Sequence, residues 1–490
     1  MRFISTRGVE KWIPSSQAII NGISKDGGLC VPVSFPNLFE KIKEKIDMTY
    51  EEVAFEVIKE FFTDFSNEEI KDAISKAYEN RFKVVEKNGF LELYHGPTSA
   101  FKDAALLFLP QIMSLAKKKL NINEEIVILA ATSGDTGKAA LEGFKDVEGF
   151  RVMVYYPKEG VSPVQEMQMV TQEGRNVRVV GIKGNFDDAQ RGVKEIFGDN
   201  EFKEELLKMN YRLSSANSIN IGRLIPQIIY YFYGYLKLVN KQQIKIGDKI
   251  NIVVPTGNFG NILAAYYARE MGLPVAKFIC ASNENNVLSD FFNKGVYDKR
   301  RDLILTESPS MDILVSSNLE RLLFEASGRD ANEIKDLMKE LSDNGVYTVN
   351  EKIKKGLKDF YGNYAKNEEV YNAINYLYNE EGYLVDTHTA VAYVVLNKYI
   401  RDTEDTTPYL IASTASPYKF PRSISNALKM EVNNIDDFEV IEKLYNFSKV
   451  EVPNNLKGLN NKEIIYNFIS ETNDLKNALL SFLGDSNDKG

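Results

Sequence analysis

Short apolar runs alternate with amphipathic segments between residues 89 and 290, and this alternation constrains the possible folds more than any other feature. Residues 125–131 (EIVILAA) and 249–254 (KINIVV) predict buried strands, and a Gly-rich turn and a helix follow each of them. Residues 150–156 and 176–182 predict two further strands with helices after them. Strands that alternate with helices form parallel sheets, so this region predicts a layered α/β body.

Two of the turns have the composition of anion-binding loops. They are residues 132–137 (TSGDTG) and 255–261 (PTGNFGN), each between a predicted strand and a predicted helix. Glycine lets backbone N–H groups approach an anion, and a helix N-terminus favours a phosphate. Neither loop is specific by itself, because turns between strands and helices are Gly-rich in many folds for packing reasons alone. Ligands of parallel sheets bind beyond the carboxyl ends of the strands, so we expect both loops to face one cleft.

A lysine stands where a polar loop meets an apolar helix. Lys102 follows residues 96–99 (GPTS), so we expect it to lie near a helix N-terminus and partly out of water. Both features lower the pKa of an amine. A lysine that loses its proton near neutral pH can form a Schiff base with an aldehyde cofactor. A lone lysine at such a position is more often an ordinary surface residue, so the neighbouring motifs have to decide between the two readings.

A third polar cluster precedes another predicted helix. Residues 214–220 (SSANSIN) lead into a helix that contains Arg223. Asn217 and Ser218 can donate hydrogen bonds to an oxyanion, and Arg223 can add a bidentate charged contact. The residues alone fit a helix N-cap with a solvated arginine equally well.

Six blocks of the sequence carry a resemblance to a known family: HGPTSAFKD, ATSGDTGKAA, SSANSINIGR, VPTGNFGNILAAYYA, SPSMDILVSSNLERL and STASPYKFP. The resemblance is to the threonine synthases, which are pyridoxal-phosphate (PLP) enzymes of fold type II. Related blocks begin at residues 4–8 (ISTRG) and 26–32 (DGGLCVP), so the resemblance covers most of the chain. It implies an α/β fold like that of the tryptophan synthase β subunit, with two parallel-sheet domains and a helical N-terminal extension.

Three units are expected along the chain. They are an N-terminal extension (1–88), a small PLP domain (89–212) and a large PLP domain (213–490) with an insertion near 290–380. Amphipathic patterns at residues 50–62 and 67–84 predict two helices in the extension, and Ser66 with Glu69 forms a capping box for the second. We expect the insertion to form local helices and to supply none of the residues that contact the substrate or the cofactor.

The resemblance implies that pyridoxal 5′-phosphate is the cofactor and that Lys102 binds it covalently. The loop that holds the cofactor phosphate matches Gly257, Asn258, Phe259, Gly260 and Asn261. Thr414 matches a threonine whose hydroxyl meets the pyridine nitrogen, and a hydroxyl does not hold that nitrogen protonated. Asp135 matches the position on the O3′ side of the cofactor, where many relatives have asparagine. Ser416 stands where the family usually has histidine.

The resemblance also implies O-phospho-L-homoserine as the substrate. Asn217, Ser218 and Arg223 match the residues that hold its phosphate. Ser133 matches a contact to the substrate carboxylate, and Thr136 matches a further contact to the phosphate. The implied reaction is γ-elimination of phosphate followed by β-addition of water, which yields L-threonine, with Lys102 as the base.

Other functions were weighed against this one. A phospho-lyase that releases 2-oxobutyrate, ammonia and phosphate would use the same residues, so the product stays open. A nucleotide-binding P-loop does not fit, because Gly134 and Gly137 are too close together and Ala139 follows Lys138. A binding protein without catalytic activity would not need to keep both anion loops and Lys102.

Composition bears on partners and compartment. The net charge of −9 argues against a nucleic-acid surface, which needs clustered positive charge. No apolar run approaches the roughly 20 residues of a membrane span, and we expect a cytoplasmic monomer. Cys30 and Cys280 lack metal-ligand spacing, so we expect buried free thiols and no metal site. His95 and His388 are expected to cap or pack rather than to catalyse.

Overall fold

The computed structural model describes residues 1–8 and 12–484 of the 490-residue chain. Its strands are, in chain order, β1 (Arg2–Ser5), β2 (Ile13–Pro14), β3 (Cys30–Pro32), β4 (Lys83–Lys87), β5 (Phe90–His95), β6 (Glu125–Ala131), β7 (Phe150–Pro157), β8 (Val177–Lys183), β9 (Tyr211–Ser214), β10 (Ile250–Pro255), β11 (Val275–Ser282), β12 (Val296–Asp298), β13 (Val346–Thr348), β14 (Phe360–Tyr364), β15 (Tyr409–Ser413) and β16 (Ile469–Glu471).

The α-helices are, in chain order, α1 (Ser15–Asn21), α2 (Phe39–Ile42), α3 (Tyr50–Phe61), α4 (Asn67–Tyr78), α5 (Asp103–Leu106), α6 (Leu109–Lys119), α7 (Asp135–Phe144), α8 (Pro163–Val170), α9 (Phe186–Gly198), α10 (Asn200–Lys208), α11 (Ile221–Leu224), α12 (Pro226–Asn240), α13 (Gly260–Glu270), α14 (Val287–Lys294), α15 (Leu319–Ala326), α16 (Ala331–Asn344), α17 (Glu351–Gly356), α18 (Asn367–Glu381), α19 (Thr387–Thr403), α20 (Pro421–Ala427), α21 (Asp437–Ser448) and α22 (Leu475–Gly484). Short 3₁₀ turns lie at Pro309–Met311, Pro417–Lys419 and Leu459–Asn461.

A five-stranded parallel sheet has the order β16-β8-β7-β6-β9. Its interior strand β6 is buried on both faces: Val127 and Leu129 pack into one apolar cluster, and Ile126 and Ile128 pack into another. Burial on both faces explains why this strand reads as a continuous apolar run rather than as an alternating one. The predicted strand at 125–131 is therefore confirmed.

A six-stranded sheet has the order β14-β11-β10-β15-β5-β4 and is parallel except for the β4–β5 hairpin. Ile252 of β10 contributes to the core on one face, and its neighbour Val253 contributes to a separate core on the other face. Helices cover both faces of a parallel sheet, and the two apolar cores lie between the sheet and these helices. The layered α/β body is confirmed.

The N-terminal residues form a small antiparallel sheet, β2-β1-β3, with helix α1 between β2 and β3 and helices α2–α4 after β3. Both predicted amphipathic helices are present, and Ser66 and Glu69 form the predicted capping box of α4. Helix α4 ends at Tyr78, before the predicted limit of 84, because residues 83–87 pair with β5 instead. No helix within residues 1–8 and 12–484 combines the length and apolar content that crossing a membrane requires.

Sheet membership differs from the predicted units at three places. Strands β4 and β5 lie in the six-stranded sheet, across the predicted limit at 88/89. Strand β16 and helix α22 return to the five-stranded sheet and its core, although they follow residue 213. Strand β14, inside the predicted insertion, pairs with β11. Pairing between distant segments has no local sequence signal, and the three units stay a prediction.

Candidate active site

Lys102 lies at the end of the loop between β5 and α5, and only 9% of it is exposed. The neighbouring Asp103 holds the loop, because its carboxylate accepts hydrogen bonds from Thr98 N at 2.9 Å and Thr98 Oγ1 at 2.6 Å. Gly96 is required there, since a Cβ would lie 2.4 Å from Asp103 Oδ2. Burial raises the pKa of Asp103 to about 6.

The Lys102 loop is joined to the segment after β15. Phe101 N donates to Thr414 O at 2.8 Å, and Ser416 N donates to Ser99 O at 3.0 Å. Thr414 and Lys102 are thus brought together although they are more than 300 residues apart in the sequence. Ser416 Oγ accepts from Tyr418 N at 3.4 Å, so this side chain caps the following 3₁₀ turn.

Asp135 opens helix α7 and carries the only carboxylate that contacts Lys102 among the hydrogen bonds and ion pairs of the described ranges. Its Oδ2 lies 3.4 Å from Lys102 Nζ and accepts from Ser310 Oγ at 3.4 Å. Its Oδ1 lies 2.6 Å from Lys419 Nζ and accepts from Gln165 Nε2 at 2.9 Å. Burial raises the pKa of Asp135, but Lys419 and then Lys102 outweigh it and hold that pKa below its usual range. The carboxylate is therefore ionised.

Burial is the main reason that the pKa of Lys102 lies below its usual value. Attraction by Asp135 opposes this shift, and repulsion by Arg223 and Lys419 adds to it. Helix α5 has only four residues, so we attribute the effect to burial rather than to a helix dipole. The lowered pKa agrees with the expectation from the sequence. Of the two expected causes, burial and a helix N-terminus, only burial applies.

The loop between β10 and α13 has a backbone that only a few residue types favour. Phe259 adopts the left-handed conformation with φ 64°, directly before the helix begins at Gly260. A Cβ at Gly257 would lie 2.9 Å from Ser310 O. In the first turn of α13, Asn261 is buried and its Oδ1 accepts from the Tyr231 hydroxyl. Its Nδ2 has no hydrogen-bond partner within the part of the chain that the structure describes.

The predicted phosphate-binding loop lies next to this one. Asn318 Nδ2 donates both to Ser218 Oγ at 3.2 Å and to Asn258 O at 3.0 Å, which joins the two loops. Arg223 is 5% exposed, and its Nη1 donates to Ala216 O at 2.8 Å. Burial lowers the pKa of Arg223 to about 10. The Arg223 Nε is buried without a partner among the described residues.

The remaining predicted residues surround Asp135 or lie at the surface. Ser133 and Thr136 are half-buried beside it, and Asn217 is exposed. Thr132 Oγ1 shapes this loop by accepting from the backbone N–H groups of Gly134 and Gly137, at 3.0 and 2.9 Å.

Comparisons with known proteins were made against family models, curated sequences and solved structures. The family models "Threonine synthase N terminus", "Pyridoxal-phosphate dependent enzyme" and "Threonine synthase, C-terminal" match residues 2–78, 90–350 and 389–478. Threonine synthase of Saccharomyces cerevisiae is 35% identical over an alignment that covers 96% of this chain and 95% of that protein. The chain belongs to the threonine synthase family.

Two further relatives bear on this family membership. Human "Threonine synthase-like 1" is 40% identical over 88% of this chain, and the match spans 61% of that longer protein. The crystal structure of PLP-bound threonine synthase from Brucella melitensis is 33% identical, with a TM-score of 0.86 over 98% of this chain and 99% of that one. The predicted family and the predicted fold type II are confirmed.

Five residues of this threonine synthase family member that the sequence analysis did not assign prove to build the site: Gln165, Ser310, Asn318, Arg321 and Lys419. All except Gln165 lie inside the sequence blocks that carry the resemblance, and these blocks were the signal by which the sequence could have identified them. Gln165 also occupies the third position of the capping box of α8, and this local role gives no hint of its contact with Asp135. Ser310 lies in the predicted insertion and supports the site through Asp135, and the expectation that the insertion supplies no residue in contact with substrate or cofactor stays a prediction.

Both histidines of the chain have polar side-chain or backbone groups within hydrogen-bond distance. His388 is buried: its Nδ1 lies 2.8 Å from Asp386 Oδ2, and its Nε2 accepts from Ser310 N at 3.2 Å. These bonds place the proton on Nδ1 and make His388 a support for the Ser310 segment. His95 Nε2 pairs with Glu92 at 2.6 Å and is partly exposed.

Proposed function

We propose that the protein is a threonine synthase that converts O-phospho-L-homoserine and water to L-threonine and phosphate with pyridoxal 5′-phosphate as cofactor. The observation that carries the proposal is a pair of buried donors that have no partner among the described residues, Arg223 Nε and Asn261 Nδ2. They lie on the helices that follow two loops, and Asn318 joins these loops. Buried polar groups are normally hydrogen-bonded, so unpaired donors indicate a ligand with acceptor atoms. Repulsion between Arg223 and Lys102 places them in one electrostatic environment.

The residues present fit the cofactor. Lys102 is a buried amine with a lowered pKa, which suits a covalent bond to an aldehyde. Gly257, Asn258, Phe259, Gly260 and Asn261 form a helix N-terminus with an unpaired buried donor, which suits the cofactor phosphate. Thr414 would meet the ring nitrogen, and Asp135 would lie on the O3′ side. When bound, the cofactor supplies an electron sink for the carbon that bears the substrate amino group.

The chain's own residues account for the handling of the substrate. Asn217, Ser218 and Arg223 hold the substrate phosphate, which must leave from the γ-carbon. Ser133 holds the carboxylate, and Thr136 adds a contact to the phosphate. Lys102 removes and returns the proton at the α-carbon, which its lowered pKa favours. Water adds at the β-carbon.

A phospho-lyase outcome is less well supported. Its residues would be the same, but curated threonine synthases of Saccharomyces cerevisiae and Schizosaccharomyces pombe match this chain over 95% and 94% of their own length at 35% identity. The longer "Threonine synthase-like 1" proteins match over only 61% of theirs. Similarity along the whole length favours the synthase.

For assembly and compartment we propose a cytoplasmic monomer that binds no nucleic acid. The net charge of −9 supports the last point, because phosphate backbones require clustered cations. Buried free thiols at Cys30 and Cys280 suit a reducing compartment. Light scattering of the purified protein tests the monomer.

The test of the proposed function is a product balance. Purified protein is mixed with pyridoxal 5′-phosphate and O-phospho-L-homoserine, and phosphate, threonine and 2-oxobutyrate are quantified in one sample. We expect phosphate and threonine in equal amounts, and neither of them with Lys102→Ala. Phosphate accompanied by 2-oxobutyrate would overturn the synthase in favour of the lyase, and no phosphate would overturn both.

A further inference from the structure

Lys419 is a fully buried cation to which the proposed function gives no task. It closes the 3₁₀ turn after Thr414, and none of its surface is exposed. Its ammonium contacts Asp135 Oδ1 at 2.6 Å and Thr98 O at 3.1 Å. A buried charge is costly unless it is paired and hydrogen-bonded, and Asp135 and the Thr98 carbonyl meet both conditions for Lys419.

Asp135 has two cationic partners and can neutralise only one of them. Lys419 lies 2.6 Å from one carboxylate oxygen, whereas Lys102 lies 3.4 Å from the other. The charged groups that act on Lys102 are Asp135, Arg223 and Lys419. When these three groups and Lys102 are all ionised, the cluster holds one negative charge and three positive charges. Because arginine does not lose its proton and Lys419 has the closer carboxylate, Lys102 is the group that loses its proton at least cost.

We infer that Lys419 is a positioning residue that occupies the Asp135 carboxylate and thereby leaves Lys102 free to react, as an uncharged amine, with the aldehyde of the cofactor. In that reaction the Lys102 nitrogen bonds to the aldehyde carbon, and the aldehyde oxygen leaves as water with both amine hydrogens. The inference rests on the proposed function, because it takes Lys102 as the reacting amine.

Removing the charge of Lys419 should change the pH at which Lys102 reacts. In Lys419→Met the side chain keeps its length, and Lys102 is then the only cation that contacts Asp135 among the described residues. Lys419 repels Lys102 and lowers the pKa of that amine, and a neighbouring charge shifts a pKa by about one to three units, so the loss of Lys419 should raise it. We therefore expect the pH midpoint for capture of pyridoxal 5′-phosphate to rise by about one unit. Capture is followed by the absorbance of the bound cofactor, with full-length protein freed of cofactor and without substrate.

Two further variants make the test specific. Lys138→Met removes a half-buried lysine of α7, the helix that Asp135 opens. Lys138 contacts Gln172 and Glu142 and not Asp135, so the midpoint of this variant should stay unchanged. Asp135→Asn removes the attraction itself, so its midpoint should fall. In the Asp135→Asn background, Lys419→Met should shift the midpoint by less than half as much as it does in the wild type, because the two residues act as a unit.

An unchanged midpoint in folded Lys419→Met would overturn the inference, as would an equal shift in Lys138→Met or in the Asp135→Asn background. If Lys419→Met does not fold, Asp135→Asn decides, and a midpoint that stays or rises there overturns the inference. Since capture is measured without substrate, a chain that proved to be a lyase would leave this result intact.

Discussion

Arg223 is a buried cation that uses little of its own hydrogen-bonding capacity. A guanidinium has five N–H donors, yet Nη1 donates to Ala216 O and the buried Nε has no partner within residues 1–8 and 12–484. Burial also lowers its pKa, to about 10, so the folded protein bears a cost at this position. A bound phosphate would relieve that cost, because arginine and phosphate form two parallel charged hydrogen bonds.

The residue-scale prediction follows from this unused capacity. Arg223→Ala should raise the KM for O-phospho-L-homoserine by roughly 10- to 100-fold, since a hydrogen bond to a charged group is worth about 1.5–3 kcal/mol. The KM of Arg223→Lys should lie between the values of the wild type and Arg223→Ala, because lysine keeps the charge and loses the paired geometry. Steady-state kinetics and the retention of pyridoxal 5′-phosphate provide the measurements. Unchanged KM values, or loss of cofactor with unchanged KM, would contradict the assignment of Arg223 to the substrate.

Single residues also show where prediction from the sequence ends. Lys102 was predictable because a polar loop before an apolar helix is a local pattern with a chemical meaning. Lys419 was not, although it lies in a block that carries the resemblance. Its role depends on a carboxylate 284 positions earlier, and a pairing of that kind has no local sequence signal.

At the scale of elements, one buried arginine ties the N-terminal strands to the site. Arg321 of α15 is fully buried. It donates to Cys30 O of β3 at 2.9 Å, to Ile219 O of the predicted phosphate loop at 2.5 Å, and to Asn318 Oδ1 at 2.5 Å. The Asn318 amide in turn donates hydrogen bonds to Ser218 of the predicted phosphate loop and to Asn258 of the loop before α13. The N-terminal sheet therefore supports the site through this side chain, and the sequence showed only helices with one apolar face there.

We expect Arg321→Met to lower the free energy of unfolding by about 3 kcal/mol or more. The change removes the Arg321 hydrogen bonds to the Cys30 and Ile219 carbonyl groups and to the Asn318 amide oxygen, and each lost bond to a charged group costs about 1.5–3 kcal/mol. The matched control is Arg329→Met, which removes a partly exposed arginine that bonds Glu325 and Val33 O. The control should cost less than about 1 kcal/mol, as exposed ion pairs do.

Denaturant unfolding of both variants provides the measurement. Equal losses in the two variants would show that Arg321 acts as an ordinary surface charge does, which would contradict its place at the centre of this network.

Elements with a local pattern were predicted well, and their pairing was not. Strand β6 and helix α13 lie within one or two residues of their predicted positions, because apolar periodicity and Gly-rich turns mark them. The hairpin of β4 and β5 was missed although Asn88-Gly89 is a local hairpin signal, because residues 67–84 were assigned to one helix. Its place beside β15, more than 300 residues later, had no local signal. Contacts of such long sequence separation follow from the tertiary fold, not from local propensity.

At the scale of the whole molecule, the chain passes between the two sheets more than once. It begins the six-stranded sheet with β4 and β5, builds the five-stranded sheet from β6 to β9, and returns to the six-stranded sheet at β10. Near its C-terminus β16 and α22 complete the five-stranded sheet. This path brings loops from both sheets to one site, as the resemblance implied and as the strand pattern alone could not show.

The same path brings two buried lysines and one half-buried lysine into one region, each from a different part of the fold. Lys102 follows β5 of the six-stranded sheet, Lys138 lies on α7 after β6 of the five-stranded sheet, and Lys419 follows β15. Lys138 contacts Gln172 and Glu142, and Lys419 pairs with Asp135 at 2.6 Å. Lys102 reaches Asp135 only at 3.4 Å, whereas Lys419 occupies the other oxygen of that carboxylate, and our central claim is that Lys102 alone bonds to the cofactor.

The most direct test is to locate that bond. The purified protein is loaded with pyridoxal 5′-phosphate, the carbon–nitrogen bond is reduced with borohydride, and the digested peptides are analysed by mass spectrometry. We predict that the added cofactor mass lies on the peptide that contains Lys102 and that it is absent from the peptides of Lys138 and Lys419. Cofactor mass on either of those two lysines, or on no lysine, would contradict the assignment on which the proposed reaction depends.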